Sequence, residues 1–231
     1  TVAERELQQL ARRYGPERLA SLMTGLVDHT ERLVRQEIAA WPDGVATFTD
    51  YLDSDGIVPR DVPITATVTI EGDEITVDLT ESAPMVAGAL NSTRSFVQAC
   101  VYQAVRSAIE TEVPNTSGAF RPITVLTKPG TIAHVVMPGA SSMRGVTGFR
   151  ALDAVNGALA QLVPNRVPAA GEGGNTLAVF GAERPDGSRF VFYELVVGTW
   201  GGTPRDDGND GLTNPASLAA NIPVEVAESE F

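Results

Sequence analysis

Gly88-Ala-Leu-Asn-Ser-Thr-Arg-Ser-Phe-Val-Gln-Ala-Cys-Val-Tyr-Gln-Ala-Val-Arg106, running on to Val113-Pro-Asn-Thr-Ser-Gly-Ala-Phe-Arg-Pro122, reads as a turn, a capped helix and a second polar loop. Ser92 or Thr93 can cap the helix, because either hydroxyl can accept a hydrogen bond from a free first-turn amide. Phe96, Cys100, Ala104 and Ala108 recur at four-residue spacing, with Val97, Val101 and Val105 beside them. That pattern makes one wide apolar face. Pro114 is expected to stop the helix, and Asn115 to Gly118 to turn the chain. Polar loops held on a rigid element are where binding sites tend to sit. An ordinary core helix with ordinary caps has the same pattern.

On the N-terminal side, residues 1 to about 13 read as a helix with Leu7, Leu10 and Ala11 on one face. Gly15 can end it and Pro16 can begin the next. The second helix runs to about Ala40 with a stripe of Leu19, Leu22, Met23, Leu26, Leu33, Val34 and Ile38. Trp41-Pro-Asp-Gly44 breaks it. The period then becomes two. Val45 to Asp53 is a strand, with Phe48 and Tyr51 as aromatic anchors, and Ile64 to Ile70 is a second. Glu71 to Glu74 turns the chain into Ile75 to Leu79, so residues 45–80 form an antiparallel meander.

On the C-terminal side, Pro122 to Thr127 and Thr131 to Met137 read as a second hairpin across Lys128-Pro-Gly130. Pro138 to Gly148 is a loop containing Arg144. Thr147 caps a following helix, with Leu152, Val155, Leu159 and Leu162 on its stripe and Pro164 at its end. Arg144 beside that helix start is a candidate anion site. The Gly-rich run Val167 to Asn175 lacks the Gly-Lys-Ser/Thr of a phosphate loop. Thr176 to Gly181 and Arg189 to Val197 form a third hairpin. Gly198 to Asn214 is a long Gly, Asp and Asn loop carrying Trp200 and Arg205, and loops of that length are usually functional or disordered. The fold class is α+β: antiparallel β hairpins packed with a long N-terminal helical hairpin (1–42) and two core helices within an α+β region (43–231).

Composition narrows the function. The 231 residues carry 29 acidic against 17 basic side chains, for a net charge of −12. Nucleic acid and anionic membrane surfaces both call for basic patches, so neither is an expected partner. Nor does any apolar run approach the ~20 residues of a membrane span. The one cysteine, Cys100, permits no intramolecular disulfide, which fits a cytoplasmic protein. It lies on the apolar helix face and reads as a core residue. His29 reads as a partly solvated helix residue and His134 as a core or edge histidine. Two histidines give little basis for a Ser-His-Asp triad, and no metal-binding or nucleophile-elbow motif is present. The chain opens on Thr1 rather than Met, which suggests a processed chain or a fragment.

As a set, the polar segments resemble the hydantoinase B/oxoprolinase family. The resemblance is carried by Asn91-Ser-Thr93, Pro114 to Ile123, Lys128-Pro-Gly-Thr131 with Met137-Pro138, and Asp153 to Pro164. Gly198-Thr-Trp-Gly-Gly202 with Asp207-Gly208 and Asn214, and Pro223 to Glu228, complete the order, and Leu7 to Gly15 looks like a family helix. The resemblance implies ATP-dependent ring-opening hydrolysis of a cyclic amide (hydantoin, 5-oxoproline or lactam) together with a hydantoinase A-type subunit. A ketone carboxylase branch of the family carboxylates instead. It also implies a longer B-type chain, whose N-terminal part holds a metal site that nothing here matches. This chain thus resembles the C-terminal portion. No cofactor is expected in it, and ATP and a divalent metal are expected elsewhere in a hetero-oligomer.

Such chemistry needs cationic and amide donors where negative charge develops. Asn91 and Arg121 are therefore the candidate catalytic residues of a cavity wall. Ser92, Thr93, Asn115, Arg144, Trp200, Gly201 and Gly202 are the candidate substrate-binding residues. The alternative is a structural or interface module, in which Asn91 shapes a turn and Arg121 pairs with a carboxylate.

Overall fold

The computed structural model describes residues 1–171, 173, 175–197 and 201–208. Trp200 and the expected C-terminal signature beyond residue 208 lie outside them. The helices are α1 (Val2–Tyr14), α2 (Pro16–Ile38), α3 (Arg94–Ala108) and α4 (Arg144–Leu162). The strands are β1 (Gly44–Leu52), β2 (Val62–Glu71), β3 (Glu74–Asp78), β4 (Ile123–Leu126), β5 (Asn175–Glu183) and β6 (Arg189–Val197). One sheet has the order β1-β2-β3-β4, and β5-β6 form a separate two-stranded sheet. The α+β class read from the sequence is therefore the observed one.

The meander follows from alternation. Val62, Ile64, Ala66, Val68 and Ile70 of β2 all turn into the core. The intervening threonines meet their β1 partners across the ladder, with Thr47 to Thr67 and Thr49 to Thr65 hydroxyl contacts of 2.9 Å each. Such cross-strand pairs stabilise a half-buried sheet. Helices α3 and α4 pack with the sheet in one core, through Val97, Val101 and Val105 of the first and Leu152, Val155 and Leu159 of the second. Two glycines allow α4 to approach closely. A Cβ on Gly148 would lie 2.2 Å from the Phe96 ring, and one on Gly157 would lie 2.5 Å from Phe48.

Several expectations are corrected. Helix α3 ends at Ala108, before Pro114. Ile109 leaves the helix with extended backbone, and it and Val113 are buried, so burial of two branched side chains overrides helix continuation. Residues 122–137 are no hairpin. Strand β4 pairs parallel with β3, while residues 131–135 bond elsewhere. Ile132 donates its amide to the Ala83 carbonyl (2.8 Å), and Val135 donates to that of Ser92 (2.8 Å). Helix α4 begins at Arg144, within the expected loop, behind an N-cap Met143 that makes no side-chain cap bond. Thr147 lies inside the helix, fully buried, and its hydroxyl donates to the Leu90 carbonyl. Phe48 and Tyr51 anchor less than expected, since both remain substantially exposed.

The N-terminal helices divide differently from their stripes. Thr30, Val34 and Ile38 of α2 are buried, but α1 buries nothing. Val34, Ile38 and Trp41 belong to the same core as the sheet, so that core crosses residue 42.

Candidate functional site

The loops at the N-terminal end of α3 are tied together by Asn91. Its side chain is fully buried. The amide oxygen accepts from the Val86 N–H at 2.8 Å, and the nitrogen donates to the carbonyls of Val86 (2.8 Å), Gly88 (3.1 Å) and Ala140 (2.8 Å). Both N–H donors are spent on three carbonyls and the side chain is fully buried, so it offers a ligand no donor. Asn91 therefore positions loops 86–90 and 138–143, as in the turn-shaping alternative. A third loop joins them. The Asp55 carboxylate is buried and accepts the amides of Ile57 (2.8 Å) and Val58 (2.6 Å). Those amides, Val58 first, hold its pKa below the ordinary carboxylate range. Gly88 lies so close to this loop that a Cβ would stand 1.6 Å from the Asp55 carbonyl oxygen.

These loops border a cleft of about 460 Å³, lined by Tyr51, Leu52, Asp53, Ser54, Gly56, Leu90, Val146, Arg150 and Gly173. That volume is in the range of small-molecule sites. Its charged wall is Arg150, held between Asp50 (2.8 Å) and Asp153 (2.7 Å), with Asp153 almost fully buried. Gly173, at φ +64°, lies directly against the guanidinium, where a Cβ would come within 1.0 Å of Nη2. Gly173 is thus seated on an arginine.

The structure brings Asn91, Ser92, Thr93 and Arg144 to this end of α3. Ser92 is buried, and its hydroxyl has no hydrogen-bond partner among the described residues. Thr93 is the N-cap, accepting from the Phe96 amide at 3.3 Å. Arg144, the exposed first residue of α4, stands 5.9 Å from the Phe96 ring centroid. Asn115 and Arg121 follow α3 in the chain, and Asn115 lies along the side of that helix that carries Ala99, Tyr102, Gln103 and Arg106. Asn115 is exposed beside a second cavity of about 550 Å³, lined with Tyr102, Gln103, Arg106 and Phe120. The Tyr102 and Phe120 rings stack at 4.4 Å. Arg121 donates from Nη1 to Asp28 and Glu31, each at 2.9 Å, as the carboxylate-pairing alternative has it. Gly201 and Gly202 pack on residues 169–170, the Ala169 amide donating to the Gly202 carbonyl at 2.8 Å.

Sequence reasoning missed Asp50, Arg150 and Asp153. The available signal was Arg150 and Asp153, three residues apart on the turn of α4 that also carries the apolar stripe. Among the described residues, no group of three or more His, Cys, Asp or Glu is placed to hold a metal ion. Burial pushes the Cys100 thiol up to about 11, which suits a core side chain and not a nucleophile. His134 bonds Thr127 through Nδ1 at 3.0 Å, and His29 is exposed. No helix among the described residues is long and apolar enough to cross a membrane.

The fold matches that of the ATP-dependent caprolactamase from Pseudomonas jessenii, with a TM-score of 0.74 and 29% identity over 82% of this chain and 33% of that one. It also matches nucleotide-free acetone carboxylase, with a TM-score of 0.76 over 96% of this chain and 32% of that one, though at 15% identity. The provisionally named B-type subunit of a D-/L-hydantoinase from Pseudomonas sp. (strain NS671) is 30% identical over 96% of this chain. The beta chain of the Pseudomonas jessenii caprolactamase is 33% identical over 73% of it. The hydantoinase B/oxoprolinase family model matches residues 1–231, and the chain belongs to that family. It spans 39% and 29% of the length of those two relatives.

Proposed function

We propose that this chain is part of a B-type subunit in an ATP-dependent complex that opens the ring of a cyclic amide. The observation that carries this reading is the similarity to caprolactamase, in both sequence and fold. An ATP-using A-type subunit is the partner, and ATP and a divalent metal are held outside the described residues. In this reading the cleft between Leu90, Val146 and Arg150 forms one wall of the substrate cavity. The buried Asn91 and the Asp50–Arg150–Asp153 group hold that wall rigid. Arg144, exposed at the start of α4, supplies a cation toward negative charge that develops as the amide is activated.

The test uses the assembled complex and ATP-dependent opening of a lactam. Val146→Trp fills the cleft and leaves Asn91 and Arg150 unsubstituted. It should lower kcat/KM on the order of tenfold while leaving the urea midpoint in place. Turnover unchanged by both Val146→Trp and Arg144→Ala would overturn the reading.

An interface module within a related ketone carboxylase-type complex is the second reading. It is favoured by the consumption of Asn91 and Arg121 in internal bonds. Under it, hydrogen exchange over residues 86–93 slows on adding the A-type subunit, and the cleft variants weaken assembly rather than turnover.

A further inference from the structure

The charges of the cleft bear on which ring it accepts. Among the described residues that line it, Arg150 is the one cation. That guanidinium is already engaged. Nη1 donates to Asp50 at 2.8 Å, and Nη2 donates to the buried Asp153 at 2.7 Å. The Gly173 backbone lies against Nη2, and Nε is buried with no hydrogen-bond partner among the described residues. Two carboxylates thus outweigh a single positive charge. Drawing the guanidinium away to a ligand would leave them unpaired, which costs more than a new ion pair returns.

Asp53 lines the same cleft and differs in kind. Its side chain is exposed and makes no hydrogen bond or ion pair with a described residue. Two residues on, the Val58 and Ile57 amides hold the buried Asp55 carboxylate ionised. Leu52, Leu90 and Val146 give the lining its apolar part. Arg144 is not in the lining and stands near the Phe96 ring. An uncharged cyclic amide finds here the apolar surface that its methylene edge needs. A ring that carries a carboxylate meets the unpaired carboxylate of Asp53 and, among the described lining residues, no free cation. Like charges repel more strongly in a partly dry cleft than in bulk water. Such a site sorts substrates by what it repels as well as by what it binds.

We infer that the cleft selects uncharged rings and rejects those that carry a carboxylate, with Asp53 as the specificity-determining residue. The inference rests on the reading of the cleft as a wall of the substrate cavity, and it narrows that reading. Simple lactams and hydantoins are the substrates, and 5-oxoproline is a poor one.

The test compares matched rings in the assembled complex with ATP: 5-oxoproline and its neutral amide, which differ in charge and hardly in size. Their ratio is read from kcat/KM, or from inhibition constants where ε-caprolactam is the ring opened. The acid should be roughly tenfold worse than the amide. Asp53→Asn should raise the acid-to-amide ratio roughly fivefold, and Asp53→Lys should raise it further. Added salt should raise the ratio more in the wild-type complex than in Asp53→Asn. Glu71→Gln is the control. It removes the same charge nine residues along β2 from Val62, the partner of Leu52, and so roughly 30 Å away. It should leave the ratio unchanged. An acid preferred to the amide, a ratio indifferent to both Asp53 variants, or an equal response to Glu71→Gln would each overturn the inference and leave the cleft a lactam site. A complex that opens neither ring of the pair, nor hydantoin, nor ε-caprolactam would overturn the reading of the cleft, and the inference with it.

Discussion

At the N-terminal end of α3, a fully buried neutral amide, Asn91, ties loops 86–90 and 138–143 through four hydrogen bonds. In the loop that follows α3, Arg121 ties a short 3-10 turn (Ser117–Phe120) to α2 through two ion pairs, with its side chain about half exposed. Both residues occupy polar loops of similar composition, and both bond across long sequence separations. Water separates their consequences. Removing a buried partner strands donors and acceptors that water cannot reach, whereas an exposed ion pair exchanges for hydration at little net cost. The N-terminal end is thus built to hold its shape, and the cleft lies there.

The largest expected effect that sharpens this contrast is at Asn91. Asn91→Ala leaves the Val86 amide and the Val86, Gly88 and Ala140 carbonyls without their partner, and should cost about 3 kcal/mol or more in urea unfolding. A loss below that of Arg121→Ala would break the comparison. Next comes Arg150→Met, which leaves the Asp50 and Asp153 carboxylates facing each other without their cation. A loss of about 2–3 kcal/mol is expected. Arg150→Lys should recover only part of it, because an ammonium lacks the fork that spans two carboxylates. Gly173→Ala follows, at about 1–2 kcal/mol, since φ is positive and the new methyl meets the guanidinium. If crystals of that variant kept Arg150 in place, the seat described for Gly173 would be wrong.

Arg121→Ala should show the smallest shift in urea midpoint of the series, and high salt should erase it. Its pH dependence has a definite sign. Hydrogen bonds from Arg121, then Arg35, hold the Glu31 pKa below its ordinary 4.5. The stability that Glu31 contributes is complete above that value and is lost as pH falls below it. The gap between wild type and Arg121→Ala should therefore close in acid below about pH 4.5. A gap that widened there would exclude Glu31 as the partner that matters.

Local patterns were legible where one face decides the structure. The alternation of β2, the α3 stripe with Cys100 on it, the Thr93 cap and the β5–β6 hairpin each depend on near neighbours in sequence. The helix starts and stops that failed have a common cause. Thr147 and Pro114 are valid local signals, but the Leu90 carbonyl claimed the first as a buried partner, and burial of Ile109 and Val113 ended α3 before the second could act. Among the site residues, Asn91 and Arg121 stood out by residue type, but residue type does not say whether a polar group faces a ligand or its own chain. Asp50 gave no local signal, because its partner Arg150 is 100 positions away on α4.

The α+β class, the meander, the two core helices and the polar loops that carry the family resemblance were all set by the order of residues alone. Periodicity and turn chemistry act over a few residues and need no distant partner. Folding in three dimensions was needed to settle that β4 runs parallel to β3, that residues 131–135 bond to Ala83 and Ser92, and that Asn115 lies along the side of α3 that carries Tyr102 and Arg106. The bridge that Arg150 makes between β1 and α4 belongs with these. Each depends on which buried donor, acceptor or charge reaches its partner first across the core, a competition between distant segments that no local pattern encodes.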